Sequence, residues 1–282
     1  MASNVQRTQN TVVAYSKIYM RALAKHGTDE GIAADLVLRS KTLSKSTVRQ
    51  YRSAYSHVWD LRGRDDLIEA VQDCIGERQA VLRTSAKKLK AFRHQDLMKL
   101  LESLVNAGEM LAAAWMRCGF VTGLRPHEWR RARLVGNCLV VQNAKATNGR
   151  AHSEDRTVMI SDFRELQNIG ALCRRLDGPD FEKKRRHVAR VIAMHAKVLW
   201  PRAEKLPTLY SARHGFAAEA KAKFSKEEVA ALMGHASTET AGRHYARRRI
   251  ARGFLKVRPT DADVTAVISI SKKPVGGPKL CR

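Results

Sequence analysis

The sequence predicts a mainly helical α+β protein in two parts. A small helical domain covers 1–82, and a larger mixed domain with a short three-stranded antiparallel sheet covers 93–258. Three observations carry this reading. Apolar residues in the N-terminal part recur at helical spacing without alternation. Residues 83–92, RTSAKKLKAF, are small and basic with no apolar period, the texture of a linker. Between Arg133 and Ile160 the apolar period drops from helical to twofold, as pleated strands require.

In chain order, Val12, Tyr15, Tyr19 and Leu23 form the stripe of a first helix, which His26-Gly27 closes. A second has Thr42 or Ser44 as N-cap candidates and buries Val48, Ala54, Tyr55, Val58 and Leu61. Its polar side carries Lys41, Lys45, Arg49 and Arg52. Tyr51, Tyr55 and Trp59 read as core side chains rather than a row for base stacking. A third helix is expected from Asp65 to Leu82. Past the linker, helices are predicted near 94–106 and 108–120. Strands follow around the Gly136-Asn137 turn and the polar loop KATNGRAHSED, and then helices near 162–176, 181–200, 209–222, 225–234 and 238–250. The tail, 259–282, is rich in Pro, Gly and Lys with one β-prone stretch, VTAVISI. It is expected to dock on a neighbouring protomer rather than build its own core.

The charge balance narrows the partners. The 282 residues include 52 Lys plus Arg against 27 Asp plus Glu, a net charge of +25. With 44% hydrophobic and 28% charged residues the chain is globular rather than disordered. No apolar run approaches the roughly 18 residues of a membrane span, and MASNVQRTQN lacks the apolar stretch of a signal peptide. Five scattered cysteines argue against a disulfide scaffold or a zinc module, and fit a reducing cytosol. So large a positive charge fits a polyanion. Nucleic acid suits it better than a membrane surface, because no single amphipathic basic helix stands out. The cations are spread along the chain, so both domains are expected to face the polyanion.

Several residues could carry chemistry. In VTGLRPHE, Arg125 follows a Thr-Gly helix end and Glu128 lies three residues on, the arrangement of a carboxylate-held phosphate clamp. Lys145 sits in the loop between the second and third strands, where neighbouring cations would make it a better proton donor. Tyr210 and Arg213 share a helix face. Gly234 ends a helix capped by Ser225, so His235 projects from its terminus. Tyr245 stands among Arg243, His244, Arg247, Arg248 and Arg249, cations that favour a phenolate. Singly, each also suits an ordinary structural role: an Arg–Glu pair, a loop lysine, a core tyrosine, a capping histidine. His187 and His195 share a helix without accompanying carboxylates, which argues against a metal-dependent nuclease.

Together, TGLRPHE, the lysine of KATNGR, SARHGFAA, LMGHAS and a tyrosine shortly after that histidine resemble the tyrosine recombinases, the site-specific DNA recombinases and phage-type integrases. The resemblance is strong over about 93–250. It extends weakly to TVRQYRSAY, which looks like the family's SAM-like core-binding domain. It implies that Arg125 and Arg213 clamp the scissile phosphate, and that Lys145 protonates the leaving 5′-oxygen. It further implies that His235 hydrogen-bonds a non-bridging oxygen, that Tyr245 is the nucleophile, and that Glu128 and His214 stand behind these groups. Double-stranded DNA with paired sites would be the substrate, bound by a homotetramer through Lys41, Lys45, Arg49, Arg52, Lys87, Lys88, Arg243 and Arg247 among others. No cofactor, metal or ATP is implied, and the expected location is the cytoplasm, at the nucleoid.

Two departures from the family pattern stand out. Tyr210 occupies a position where the family usually has His, and a phenol is a poor base near neutral pH. Ten residues separate His235 from Tyr245 where nine is commoner; nine would reach His244, but Tyr245 is the only tyrosine after Tyr210. Within the family a type IB topoisomerase or telomere resolvase is an alternative. From another class, SKEEVAALMGHASTETAGRHYARR could be a helix-turn-helix of a non-catalytic DNA-binding regulator, which leaves Arg125, Lys145 and the strands unexplained.

Overall fold

The computed structural model of the chain describes residues 9–77, 92–143, 151–238 and 255–271. The chain divides into two compact units, Met1–Ser85 and Ala86–Arg282.

The first unit is helical: α1 (Gln9–His26), α2 (Asp29–Ser40), α3 (Lys45–Asp60) and α4 (Asp65–Gln72). Tyr19, Ile32, Leu36, Val48, Tyr55, Trp59 and Val71 close its core. The aromatic row of α3 is thus a packing feature, with Tyr55 and Trp59 buried. Asp29 ties three helices together. It accepts from Tyr19 Oη at 2.6 Å and from Trp59 Nε1 at 3.0 Å. Sequence reading passes over α2, although Thr28 caps it by accepting from the Gly31 amide and Ile32 and Leu36 stand one turn apart. Ser44, not Thr42, caps α3.

Helix α4 is shorter than the expected Asp65–Leu82. The Arg52 guanidinium of α3 takes up the carbonyls of Gln72 and Cys74 just where the helix ends. Gly76 then passes so close to the backbone of Leu43, Ser44 and Lys45 that a Cβ would not fit, a path a continuing helix could not take. Ile75, which the helical spacing of Leu67, Ile68 and Val71 would place on the apolar stripe of a longer helix, is 62% exposed.

The second unit begins with α5 (His94–Asn106) and α6 (Met110–Thr122), followed by a 3-10 turn at Glu128–Arg130. Strands β1 (Arg133–Val135), β2 (Cys138–Gln142) and β3 (Asp155–Ile160) lead to α7 (Phe163–Leu176), α8 (Phe181–Leu199), α9 (Leu209–Lys223) and α10 (Lys226–Met233). Strand β4 (Val257–Pro259) and α11 (Asp261–Ser271) come last. The sheet is antiparallel in the order β1-β2-β3-β4, and Gly136, at φ +58°, supplies the turn between β1 and β2.

Three expectations need correction here. The sheet has four strands, not three: Val257–Pro259 pairs with β3 in the register Val158↔Pro259, Ile160↔Val257. Three residues give no readable alternation, and Pro259, with no N–H to donate, suits an outer strand. Phe92, the last residue of the expected linker, is core. It is 2% exposed and lies edge-on to Phe120. The VTAVISI stretch is helical, and Val267 is buried against Ala230 and Ala231 of α10 in the same chain. Burial overrides the strand preference of its β-branched residues.

Helix α6 is the apolar centre of this unit, with Trp115, Met116, Cys118 and Phe120 buried. It meets α9 through small residues. A Cβ at Gly119 would lie 3.2 Å from Ala212 Cβ, and one at Gly215 would enter the Phe120 ring. That close approach sets the end of α6 beside the middle of α9.

Candidate active site

Helix α6 ends on Gly123, in the left-handed region at φ 70°. A side chain there would be strained, and its Cβ would also strike the Phe216 ring. The chain turns sharply and delivers Arg125 beside α9. Helix α9, capped at Thr208, carries Arg213, which is fully buried. Arg213 Nη1 donates to the Gly123 carbonyl and Nη2 to the Met233 carbonyl, each at 2.6 Å. One guanidinium thus takes up the terminal carbonyls of α6 and α10, where helix dipoles favour a cation. Helix α10 ends on Gly234, again left-handed at φ 60°, and His235 follows, its Nε2 3.3 Å from Arg213 Nη2.

Glu128 organises the cluster. Its carboxylate accepts from the Arg125 amide at 2.7 Å and from Arg125 Nη1 at 2.6 Å. It also accepts from Arg156 Nη2 at 2.7 Å and Nη1 at 3.3 Å, and it lies 3.8 Å from Arg213 Nη1. Burial by itself would raise its pKa. The charges of Arg156, Arg213 and Arg125 override that and hold it well below the usual carboxylate range. His235 moves down as well, to about 2, because it is buried and because Arg213, Arg125 and Arg156 oppose a further positive charge; Glu128 opposes the shift. Its imidazole is therefore neutral at physiological pH. Three guanidiniums and one carboxylate leave this buried cluster with an excess of positive charge, the electrostatics of an anion site.

The structure gathers the Arg125–Glu128 pair with Arg213 and His235, which lie about 90 and 110 positions further along the chain. Tyr210 is half-buried on the first turn of α9, its ring edge-on to buried His214 with centroids 5.4 Å apart. Lys145 and Tyr245 lie outside the described residues, as do Lys87, Lys88, Arg243 and Arg247. In the first unit Lys41, Lys45 and Arg49 are exposed. Arg52 does not stand with them as a solvent-facing cation. It is half-buried and engaged with the α4 carbonyls. Of the two histidines weighed as metal ligands, His195 pairs with Ser103 Oγ at 2.8 Å. Among the described residues no group of three or more His, Cys, Asp or Glu side chains could hold a metal ion, and no helix is long and apolar enough to cross a membrane.

Sequence reasoning missed Arg156 and Asn143. Arg156 is 1% exposed and donates from Nε to the Leu232 carbonyl at 3.0 Å and from Nη1 to Asn143 Oδ1. A signal was present: Arg156, Val158 and Ile160 alternate onto the buried face of β3. An arginine in an inward register position must have a partner waiting.

The chain has the tyrosine recombinase fold. It is similar to a lambda integrase tetramer bound to a Holliday junction, over 88% of this chain and 74% of that one, at 16% identity and a TM-score of 0.61. A lambda integrase (75–356) dimer bound to a COC′ core site matches over 88% of this chain and 92% of that one, also at 16% identity and 0.61. The Tn1549 transposon integrase in complex with a circular intermediate DNA matches over 87% and 91%, at 13% identity and 0.51. No family model matches the chain, and neither does any curated protein.

Proposed function

We propose that this chain is a site-specific DNA recombinase. It would cut and rejoin strands through a 3′-phosphotyrosine and a Holliday junction, in integration, excision or resolution. The observation that carries the reading is the buried cluster of Arg125, Arg213 and His235 around Glu128. Two arginines held by fixed acceptors are preorganised for the charge that develops on a phosphorane, so catalysis asks little reorganisation of them. Such a site needs neither a metal nor ATP, because a phosphotyrosine conserves the energy of the broken phosphodiester.

In this reading the Tyr245 oxygen attacks phosphorus, the bond to the 5′-oxygen breaks, and Lys145 gives that oxygen its proton. Arg125 and Arg213 neutralise the non-bridging oxygens, and His235 hydrogen-bonds one of them. Tyr210 supplies a hydrogen bond within the site in place of a base. The first unit also contributes to DNA binding, with Lys41, Lys45 and Arg49 on phosphates, and Lys87 and Lys88 add further phosphate contacts. Two paired sites would be bound by a homotetramer, with the last residues of each chain contacting a neighbour. The lambda integrase structures, a dimer on a core site and a tetramer on a Holliday junction, support this assembly.

The test uses nicked duplexes with randomised centres, incubated with the full chain in EDTA and resolved in SDS. The wild type should accumulate a covalent adduct whose DNA reveals the target, with the nucleotide mapping to Tyr245. Tyr245→Phe should bind DNA with nearly unchanged affinity and form no adduct. Adduct from Tyr245→Phe, or adduct mapped to Tyr210, would overturn the assignment. A wild type that binds tightly without ever forming adduct would leave a DNA-binding regulator as the better reading.

A further inference from the structure

Arg156 does not belong to the set of residues expected to touch DNA, yet it lies buried within the cluster. Four hydrogen bonds leave its guanidinium, and their acceptors sit on three separate segments. Glu128 is on the turn that carries Arg125. The Leu232 carbonyl belongs to the end of α10, three residues before His235. Asn143 closes β2, where the chain leaves for the loop that holds Lys145, and its Nδ2 donates back to the Ser153 carbonyl at 3.0 Å on the other side of that loop. The packing has no slack at this point: a Cβ on Gly234 would collide with Asn143 Oδ1 and crowd Arg156 Nη1.

We propose that Arg156 is a positioning residue of the active site: its buried guanidinium fixes Glu128, the end of α10 and the base of the Lys145 loop relative to one another, and through them Arg125 and His235. This rests on the recombinase reading of the site. A rigid planar fork is needed because the acceptors lie in different directions around one point. A lysine at the same place offers one ammonium and could satisfy only part of the set. Stability alone does not account for the arrangement, since a buried ion pair often contributes little beyond what a packed apolar side chain would, while it does fix geometry.

The experiment measures orthovanadate binding, orthovanadate being a small tetrahedral probe of the phosphate site, by calorimetry on the full chain. Affinity for random duplex DNA and the thermal melt are recorded on the same preparations. Arg156→Lys should weaken vanadate binding at least about tenfold, which corresponds to about 1.4 kcal/mol, while duplex affinity stays near the wild-type value. Restoring the net charge without the fork should therefore not restore the site. Should Arg156→Lys melt early, Asn143→Ala gives the same test, because it removes one acceptor and leaves the arginine in place; a loss of about threefold is expected. Arg125→Ala and Arg213→Ala serve as references. If they lose vanadate binding while Arg156→Lys, or in its place Asn143→Ala, binds as the wild type does, the positioning role alone is overturned. If Arg125→Ala and Arg213→Ala bind vanadate normally, the active-site reading falls and this proposal with it.

Discussion

His152 Nε2 lies 2.9 Å from Asp263 Oδ1, and both side chains are buried. The pair spans 111 positions and fastens the start of α11 to the chain entering β3. Asp263 does more than pair with the imidazole. It accepts from the Thr157 amide at 2.9 Å and from Thr260 Oγ1 at 2.7 Å. Burial would raise its pKa; the bonds from His152, Thr260 and Thr157 outweigh that and hold it below its ordinary 3.8. The segment after β4 is thereby anchored on its own chain by polar contacts as well as by Val267.

Asp263→Ala should accordingly destabilise the second unit by about 2–3 kcal/mol, because it leaves a buried imidazole and a strand amide without their acceptor. Asp263→Asn, which keeps an acceptor oxygen, should cost less. Urea unfolding of the two variants against the wild type measures this. Equal stability of all three would mean that α11 is not held by this contact.

The neutral state of His235 makes stability depend on pH. Below its ordinary pKa of 6.5 the unfolded chain binds a proton that the folded chain, with its value near 2, refuses. Stability therefore falls as pH drops from 6.5 towards 2, by up to about 1.4 kcal/mol per pH unit from this group. Thermal melts between about pH 7 and pH 5 should show a shallower loss for His235→Gln than for the wild type. Parallel curves would show that His235 takes up its proton in the folded chain.

Glu128 should act in the same sense at lower pH. With a folded pKa far below its ordinary 4.5, its contribution is complete above that value and disappears as pH falls through the folded one. Glu128→Ala should cost about 3–5 kcal/mol near neutral pH, since it strips three buried guanidiniums of their shared counter-charge. Denaturation at neutral pH checks this, and a loss below about 1 kcal/mol would mean that solvent already screens the cluster.

If Lys145 is the proton donor, Lys145→Ala should slow cleavage of ordinary DNA by about 10²-fold or more. A substrate with sulfur at the 5′-bridging position, whose leaving group needs little protonation, should recover most of that rate. Single-turnover cleavage of both substrates decides the matter. Equal defects would reduce Lys145 to a phosphate contact.

DNA affinity should fall steeply with salt. The net charge of +25, spread over both units, predicts a slope of log K against log salt of at least about −5. A slope near about −1, measured by titration of a duplex, would mean that most of the charge faces away from DNA.

Much of this was legible in the residues themselves. The Ser225 cap, the glycine ends at Gly123 and Gly234 and the Gly136 turn are local devices, and the structure places each where the sequence put it. The motifs around Arg125, Glu128, Arg213 and His235 suggest a phosphate site through their resemblance to the tyrosine recombinases. Helix α2 was missed because its buried residues are few and exposed Val37 and Leu38 blur the apolar stripe, and β4 because three residues carry no period.

Other features were settled only by contacts between distant segments. That Arg52 closes α4, that VTAVISI is a helix on α10, and that Arg156 rather than a nearer cation joins Glu128 to the end of α10 all depend on partners 20 to 76 positions away. The electrostatics belong to the same class. A histidine held near pKa 2 and a glutamate held below its normal range follow from burial among three guanidiniums. The sequence determined which side chains were available and the local turns that aim them. Packing α6 against α9 through glycine and alanine brought those charges together and excluded water, and that proximity is a property of the folded chain alone.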